Sequence, residues 1–468
     1  MKELLFQGKI IETKNCENQS ALLRKKPLQI GLSESDIALF REGGYVILDF
    51  GKELRGGIRI LTFRAKDTPV RIRFGESLTE CCAELGGKQN ATNDHSLRDF
   101  TVNLQDYSDM TFGGTGFRFV RLDFYGDAEV KSVVAENYIL RKKPLYIYKG
   151  EDKEIAKIFS TAKRTVDLCA AGDYLWDGIK RDRLVWIGDI HPEMLALTTL
   201  YGRMAIIERS LDFVKNQTPL PNFMNNFPTY SMWWIIIVAD YLASTNAEDF
   251  TEKQIGYIKG LIDLMSDNVS KDGELCYPFL FVDWQTHGKP DEIQGSRAIN
   301  IIAVKKAIEV LKRFNENTDK AEDLLKRLLK KEITVDSSKS VLGLKYFAVG
   351  LTESDKKKLL ENGVSGFSTF MSYYILKAIA SFDKEKAVEM LKEYYGAMLN
   401  KGATTFWEDF DISWAKNSCR IDEFPKEGEK DIHGDYGAHC YIGFRHSLCH
   451  GWSAGVIKFI KDEIYEKS

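Results

Sequence analysis

The hydrophobic periodicity of the chain changes near residue 150, and this change limits the possible fold more than any other feature. Before it, short segments rich in β-branched and aromatic residues lie at 45–50, 57–63, 70–74, 100–104, 117–124 and 130–134. Several alternate apolar with polar positions, which is typical of half-buried strands, and glycine pairs separate them. The first part of the chain therefore predicts an antiparallel β-sandwich.

After residue 150 the apolar residues follow a helical spacing, first at Ile155, Ile158, Phe159, Ala162, Val166 and Cys169. Further helices are predicted at about 190–214, 229–245, 252–269, 295–315, 319–333, 353–363, 366–382, 384–399 and 452–465. So many sequential helical hairpins fit an α-solenoid or a closed (α/α)6 barrel. No repeat of fixed period is visible, which favours the barrel.

Composition excludes several classes of function. Hydrophobic residues make up 44% and charged residues 28%, as in a globular protein, and the net charge of -3 gives no basic field for nucleic acid. The most apolar stretch, 231–239, is too short to span a bilayer, and the N-terminus is too polar for a secretory signal. The eight cysteines form no CxxC pair, and two are adjacent, which predicts reduced thiols. We therefore expect a cytoplasmic protein without nucleic-acid or membrane partners.

All eight tryptophans lie in the helical part, and several have acidic neighbours, as in Trp176-Asp177, Asp283-Trp284 and Trp407-Glu408. Indole faces stack on sugar rings, and carboxylates accept hydrogen bonds from hydroxyl groups. Any single tryptophan is more often part of a core. The repeated pairing nevertheless favours a carbohydrate cleft.

The segment 173–193 concentrates opposite charges, with three acids among them: Asp177, Asp182 and Asp189. In isolation it could be a solvated loop before a helix that Asp189 caps, with Pro192 in the first turn. Buried charges placed side by side also shift each other's pKa, as general acid catalysis near neutral pH requires.

The segment 402–414 is acidic and aromatic. Glu408, Asp409 and Asp411 stand among aromatic residues at 406, 407, 410 and 414. An acidic surface loop would fit these aromatic neighbours poorly. Like charges in a cleft raise one another's pKa, and a carboxylate that stays ionised can activate water.

The segment 433–455 holds four of the seven histidines. His446 and His450 have the i, i+4 spacing of a zinc pair on a helix, but no glutamate lies between them and no cysteine has a zinc spacing. We predict no metal, and sugar binding plus core packing is the better interpretation. Phosphate-binding loops and dinucleotide motifs are missing from the sequence, so no cofactor is predicted.

These segments carry a family resemblance. Arg183-Leu-Val-Trp-Ile-Gly-Asp189, Gly402-Ala-Thr-Thr-Phe-Trp-Glu408 and Ser447-Leu-Cys-His-Gly-Trp-Ser-Ala-Gly455 follow its motifs, with support from 228–234, Asp283-Trp284, 45–51 and 116–122. Together they resemble the α-L-rhamnosidases of glycoside hydrolase family 78, over about residues 40–460. The resemblance implies a β-sandwich domain at 1–148 followed by a catalytic (α/α)6 barrel at 149–468. It also implies inverting hydrolysis of a terminal α-L-rhamnoside without a cofactor.

The resemblance assigns roles to individual residues. Asp182 takes the position of the general acid and Glu408 that of the general base, and inversion needs about 6.5–9.5 Å between the two carboxyls. The implied substrate-binding residues are Asp177, Arg181, Trp186, Asp189, Trp234, Asp283, Trp284, Trp407 and His450.

The sequence departs from the family at the acid. The family has Glu where this chain has Asp182, and the loop after Asp177 is one residue shorter. The carboxyl therefore falls short by roughly 1.5 Å, and about 1 Å can cost a hundredfold in rate. Either the shorter loop brings the backbone closer, or the substrate differs, or ordinary rhamnosides are not hydrolysed.

Two other functions stay open. The same barrel could act on uronides, as an unsaturated glucuronyl hydrolase or a polysaccharide lyase, which the histidines at 433–450 favour. A non-catalytic sugar-binding protein would account for the change at Asp182. The sequence determines neither the linkage nor the oligomeric state, and a homo-oligomer is possible.

Overall fold

An antiparallel sheet forms the first third of the protein. The computed structural model describes residues 2–25 and 29–465, so residue 1 and residues 466–468, at the ends of the two predicted domains, lie outside the described residues. The strands are β1 (Lys2–Phe6), β2 (Lys9–Glu17), β3 (Ala38–Arg64), β4 (Thr68–Gly75), β5 (Asp99–Leu104), β6 (Asp109–Phe124) and β7 (Ala128–Tyr138). Their order is β1-β7-β3-β6-β4-β5, and β2 pairs with β3.

All six predicted strand segments are confirmed, with one difference in their connection. Residues 45–50 and 57–63 belong to the single long strand β3. The two N-terminal strands were not predicted, because both are largely exposed and carry no clear apolar face.

The long strand β3 curves around the apolar core of the sheet. Glu129 in β7 pairs with Leu39 at the start of β3 and with Arg64 at its end. Between these points the pairing shifts register near Gly56 and Gly57, as strands do where they bend. A Cβ on Gly56 would lie 2.0 Å from the Glu136 carbonyl oxygen, so only glycine fits there. The two halves of β3 thus enclose one core with β4, β6 and β7.

Helices occupy the rest of the described chain. They are α1 (Lys153–Cys169), α2 (Ile187–Tyr201), α3 (Ala205–Gln217), α4 (Pro228–Thr245), α5 (Glu248–Glu252), α6 (Ile255–Asp267), α7 (Asp291–Arg313), α8 (Asp319–Leu328), α9 (Lys339–Val349), α10 (Glu353–Leu360), α11 (Ser372–Ala380), α12 (Lys384–Asn400) and α13 (Val456–Phe459). Among them, no helix of the described residues combines the length and apolarity that crossing a membrane requires.

One helix prediction was wrong, and one helix was missed. The segment 190–214 is two helices, because Gly202 adopts a backbone conformation with positive φ (68°), which favours glycine and ends α2. Helix α9 was not predicted: almost all of its first half is buried, so it lacks the one-sided apolar stripe on which the prediction depends. Its Gly343 allows close packing, since a Cβ there would lie 2.9 Å from the Ile375 nitrogen.

Five helices and one C-terminal segment form a ring of neighbours. Helix α2 contacts α4, α4 contacts α7, α7 contacts α9, and α9 contacts α11. The segment 451–459 contacts both α11 and α2, which closes the ring. The segments that precede or begin α2, α4, α7, α11 and α13 therefore meet at one end of the ring, where the N-termini of these helices lie.

Candidate active site

A cleft opens at this end of the ring. Its lining residues come from chain segments far apart in sequence: Asp177, Arg181, Asp182, Trp186, Asp189, Phe227, Tyr230, Phe281, Trp284, Glu408, Cys440, His450 and Trp452. It encloses about 450 Å³, a size typical of small-molecule sites. Helix N-termini carry partial positive charge, which suits a cleft lined with carboxylates.

The acid loop, residues 177–186, is fixed at both ends by Asp177. Its backbone N–H donates to the Leu184 carbonyl at 3.1 Å, and its carboxylate accepts the Leu184 N–H at 2.8 Å. Between these ends Asp182 and Arg183 take left-handed conformations, with φ of 52° and 56°. The turn brings the Asp182 side chain to the mouth of the cleft, where it stays partly exposed.

Arg181 lies between the two carboxyl groups to which the resemblance assigns catalysis. Its Nη1 donates to Asp182 Oδ1 at 3.0 Å, and its Nη2 donates to Glu408 Oε1. The Nε donates to the Arg445 carbonyl at 2.9 Å. Burial by itself would lower the pKa of Arg181, but Glu408 and Asp182 raise it, so the guanidinium stays charged.

Glu408 is held deeper than Asp182. Its second oxygen accepts the Ser447 N–H at 3.0 Å, and its side chain is nearly inaccessible. Burial raises the pKa of Glu408, and Arg181 opposes that rise. Burial also raises the pKa of Asp177 and Asp189 well above the ordinary range, with the neighbouring carboxylates adding to it.

His450 stands in the middle of these acids. Its Nε2 lies 3.7 Å from Asp177, 3.8 Å from Asp189 and 3.8 Å from Glu408. Burial lowers the pKa of His450 well below its ordinary value, and the Arg181 charge adds to the effect, so the imidazole is neutral. Spacings of 3.7–3.8 Å leave room for a hydroxyl group to donate to the acids or accept from the ring.

Two groups of side chains in the described chain have the spacing of metal ligands. The ligand atoms of Asp177, Asp189 and His450 lie within 4.8 Å of one another, as do those of a second group, Glu76, Glu80 and His433. The first group is the acid cluster of the cleft. The second is filled by Lys180, whose Nζ is 2.8 Å from Glu80 and 3.4 Å from Glu76. The Lys180 amino group thus already occupies the second group, and burial lowers the pKa of Lys180 to about 7.

Aromatic rings form the walls of the cleft. Trp186 donates its indole N–H to Asp182 Oδ2 at 3.2 Å, and Trp284 is half-buried on the far side. Trp452 packs on His450 at 4.2 Å between ring centroids and donates to the Glu408 carbonyl at 2.8 Å. The prediction missed Trp452, although it stands inside the quoted motif 447–455, and it also missed Tyr230.

Two predicted wall residues lie outside the cleft. Trp234 is fully buried and donates to the Leu211 carbonyl at 3.1 Å, because it lies one helical turn beyond Tyr230, which does reach the cleft. Trp407 is also buried, against Phe410. It immediately precedes Glu408, which does line the cleft. Both positions correct the sequence prediction.

The remaining predicted residues have different places. Asp283 lies in a deeper extension of the cleft beside Asp409, where its Oδ1 accepts the Thr286 N–H at 2.8 Å and burial raises its pKa. Asp189 does not cap a helix, because α2 already begins at Ile187. His446 accepts the Asp409 N–H at 2.9 Å and lies, like His450, outside any α-helix, so the two are not a helical zinc pair.

Comparison with known proteins shows which fold the chain has. No family model and no curated protein matches the chain. Among solved structures, a rhamnosidase from Klebsiella oxytoca with rhamnose bound superposes with a TM-score of 0.75 at 17% identity, covering 98% of this chain and 95% of the other. This chain has the fold of the α-L-rhamnosidases. A rhamnosidase of family 78 from a Bacillus species (TM-score 0.70, 17% identity) shares that fold over 95% of this chain and 48% of its own.

A third α-L-rhamnosidase, from Streptomyces avermitilis and complexed with L-rhamnose, gives a TM-score of 0.59 at 14% identity over 98% of this chain and 43% of its own. The rhamnosidase fold therefore covers nearly the whole of this chain, while the Bacillus and Streptomyces proteins are about twice as long. The resemblance found in the motifs is thus confirmed at the level of the fold.

Proposed function

We propose that this protein is an inverting glycoside hydrolase that releases terminal α-L-rhamnose, or a closely related sugar, with Asp182 as general acid and Glu408 as general base. The observation that carries the proposal is the contact of one guanidinium, that of Arg181, with both carboxyl groups inside one cleft. The rhamnose bound in the Klebsiella and Streptomyces proteins supports the choice of sugar.

The positions of the two carboxyls support the division of roles. Asp182 lies at the mouth, where a leaving group departs into solvent, and Glu408 lies deep, where a water can be enclosed. Because both contact one guanidinium, they are less than about 10 Å apart, a bound that includes the 6.5–9.5 Å of inverting enzymes and the shorter spacing of retaining ones, so the anomer released decides between the two. Asp182 protonates the glycosidic oxygen while Glu408 takes a proton from the water that attacks the anomeric carbon.

The inner part of the cleft supports a neutral sugar. Asp177 and Asp189 offer carboxyl oxygens and His450 offers a neutral ring nitrogen to sugar hydroxyls. Tyr230 and Trp284 offer apolar faces for a ring and for the methyl group of a 6-deoxy sugar. A uronide is a poorer fit, because a sugar carboxylate would meet several acids and an Arg181 that is already paired.

The proposal includes the type of helical domain, the type of sheet domain, the boundary between them and the location of the protein. The closed ring of inner helices with helices outside it supports an (α/α)6 barrel, and the curvature of β3 supports a sandwich. We place the domain boundary at 148/149 and the protein in the cytoplasm, where its eight free cysteines would stay reduced.

The product of hydrolysis tests the proposal. The purified protein is incubated with an aryl α-L-rhamnoside, and the first sugar released is examined by proton NMR. We expect the β anomer first. Asp182→Asn should lower the rate of hydrolysis at least about 1000-fold on an alkyl rhamnoside, whose leaving group must be protonated. Glu408→Gln should lower it as much on the aryl and on the alkyl rhamnoside. The exposed Asp272→Asn is the matched control. Release of the α anomer, an unsaturated product, or full activity in Glu408→Gln would refute it.

A further inference from the structure

A histidine from the sheet region reaches the proposed acid. His95 belongs to the loop before β5, and its Nδ1 lies 2.7 Å from the backbone nitrogen of Asp182 and 2.7 Å from Asp182 Oδ1. One ring nitrogen therefore contacts both the backbone and the side chain of the same residue, 87 positions away in the sequence.

The contact with the backbone defines which nitrogen of His95 carries the ring proton. A backbone N–H can only donate, so Nδ1 of His95 accepts, and the neutral ring carries its proton on Nε2. That nitrogen lies 3.1 Å from Asp94 Oδ1, and Arg445 fixes the other oxygen of Asp94 at 2.6 Å. The single lone pair of Nδ1 is thus used by the Asp182 N–H, and Oδ1 of Asp182 lies 2.7 Å from the same ring nitrogen.

Both oxygens of the Asp182 carboxyl are held by donors. Oδ1 accepts from Arg181 at 3.0 Å, and Oδ2 accepts from the Trp186 indole at 3.2 Å. A carboxyl with a fixed orientation at the mouth of the cleft is what a general acid needs before the bond breaks.

The backbone of both loops is locked in the same place. His95 and Asp182 both have left-handed conformations, with φ of 65° and 52°, which cost free energy unless contacts enforce them. Arg183 supplies such contacts, since it donates to the His95 carbonyl and to the Gly114 carbonyl at 2.8 Å. Ser96 donates to the Lys180 carbonyl at 3.1 Å. The sheet region thus sets the position of the acid loop.

We propose that His95, held by Asp94, is the positioning residue of the general acid, and that it compensates for the short side chain of Asp182. This inference rests on the proposed function. In the reaction the Asp182 O–H bond breaks and its proton joins the glycosidic oxygen, which keeps the electron pair of the broken C–O bond. Asp182 remains as a carboxylate and regains its proton from solvent after the leaving group departs.

Substrates with different leaving groups distinguish this role from a structural one. A dinitrophenolate leaves without protonation, whereas methanol from a methyl rhamnoside does not. We expect His95→Ala to lower kcat/KM about 100-fold on methyl α-L-rhamnoside and less than about threefold on the dinitrophenyl rhamnoside. His95→Asn should recover most of the loss, because asparagine tolerates the left-handed backbone and places an amide acceptor near the position of Nδ1.

Asn90→Ala is the matched control, since Asn90 lies in the same loop but donates to Ile442 instead of Asp182. Equal losses on both substrates for His95→Ala, or no loss on either, would overturn the proposal.

A second measurement does not depend on turnover. Nitrogen-15 NMR of histidine-labelled protein, with the His95 signals assigned by their loss in His95→Asn, should show that ring fixed with its proton on Nε2, and Asp182→Asn should change the signal. A His95 ring that exchanges between tautomers like a free imidazole contradicts the proposal. If the wild-type protein hydrolyses neither rhamnoside, the proposed function fails, and the NMR signal still decides the contact between His95 and Asp182.

Discussion

Asp182 and Glu408 are joined by one guanidinium, although they are 226 positions apart in the chain. Arg181 donates to both, and its own Nε is anchored on the Arg445 carbonyl. The distance between the proposed acid and base therefore depends on a single planar group, which can hold two carboxylates at once because its donors form a rigid fork.

Replacing Arg181 by lysine should separate the two carboxyls. An ammonium group is a point charge and cannot bridge them in the same way. We expect a fall in kcat/KM of about 100-fold, measured on an aryl rhamnoside. Arg203→Lys is the control, because Arg203 pairs on the surface with Glu208 and Asp249. An unchanged rate in Arg181→Lys would show that the bridge is not needed.

Replacing Arg181 by methionine should move the pH profile. Arg181 opposes the rise in the pKa of Glu408 that burial causes, so its removal lets that pKa rise further. The base must be ionised, and the acidic limb of kcat/KM should therefore shift to higher pH. A shift to lower pH would contradict the assignment of Glu408 as base.

Two tryptophans should give opposite results. Trp284→Ala removes a wall of the cleft, and we expect rhamnose affinity to fall about 10- to 100-fold by calorimetry with little loss of stability. Trp234→Ala empties a buried position, and we expect a loss of about 3–5 kcal/mol in the free energy of unfolding. The milder Trp234→Phe should keep rhamnose affinity unchanged. A loss of affinity in that variant would indicate that Trp234 binds the substrate.

The buried carboxyl of Asp409 should make stability depend on pH. Burial, and then the Glu408 charge, raise its pKa from 3.8 to about 7, while its Oδ1 accepts the Phe410 N–H at 2.9 Å. The native state thus binds a proton between pH 3.8 and about 7 that the unfolded state has lost. This contribution to stability is fully present below pH 3.8 and is lost as the pH rises through about 7.

Asp409→Asn removes this pH-dependent contribution to stability, because asparagine does not titrate. At pH 8 we expect it to raise the free energy of unfolding by about 1–4 kcal/mol relative to wild type, with little difference near pH 4. Urea denaturation at both pH values measures this, and the exposed Asp272→Asn should change neither. A variant that is less stable than wild type at pH 8 would contradict the sign.

Lys180 should stabilise the contact between the sheet and the acid loop. Its amino group is only 1% exposed, contacts Glu76 and Glu80, and donates to the His446 carbonyl at 2.7 Å. Lys180→Met leaves buried carboxylates with less compensation, and we expect a loss of about 3–5 kcal/mol in the free energy of unfolding. Lys320→Met, which breaks an exposed pair with Asp263, should cost about 0–1 kcal/mol. Equal losses in both variants would contradict this role.

Periodicity predicted the elements whose side chains divide into a buried and an exposed face. Helix α1 has that division and was predicted near its true position. Helix α9 is buried on most sides and β1 is largely exposed, so neither has a one-sided pattern, and both were missed.

The sequence by itself determined that a sheet region precedes a helical region. It also determined which segments hold Asp177, Asp182 and Glu408. Both follow from local pattern and motif spacing, which are properties of short stretches of chain. Only the tertiary structure decided that Trp234 and Trp407 face the core, since the direction of a side chain depends on what packs around it. It also brought His95 to Asp182, a contact between distant residues that no local pattern records.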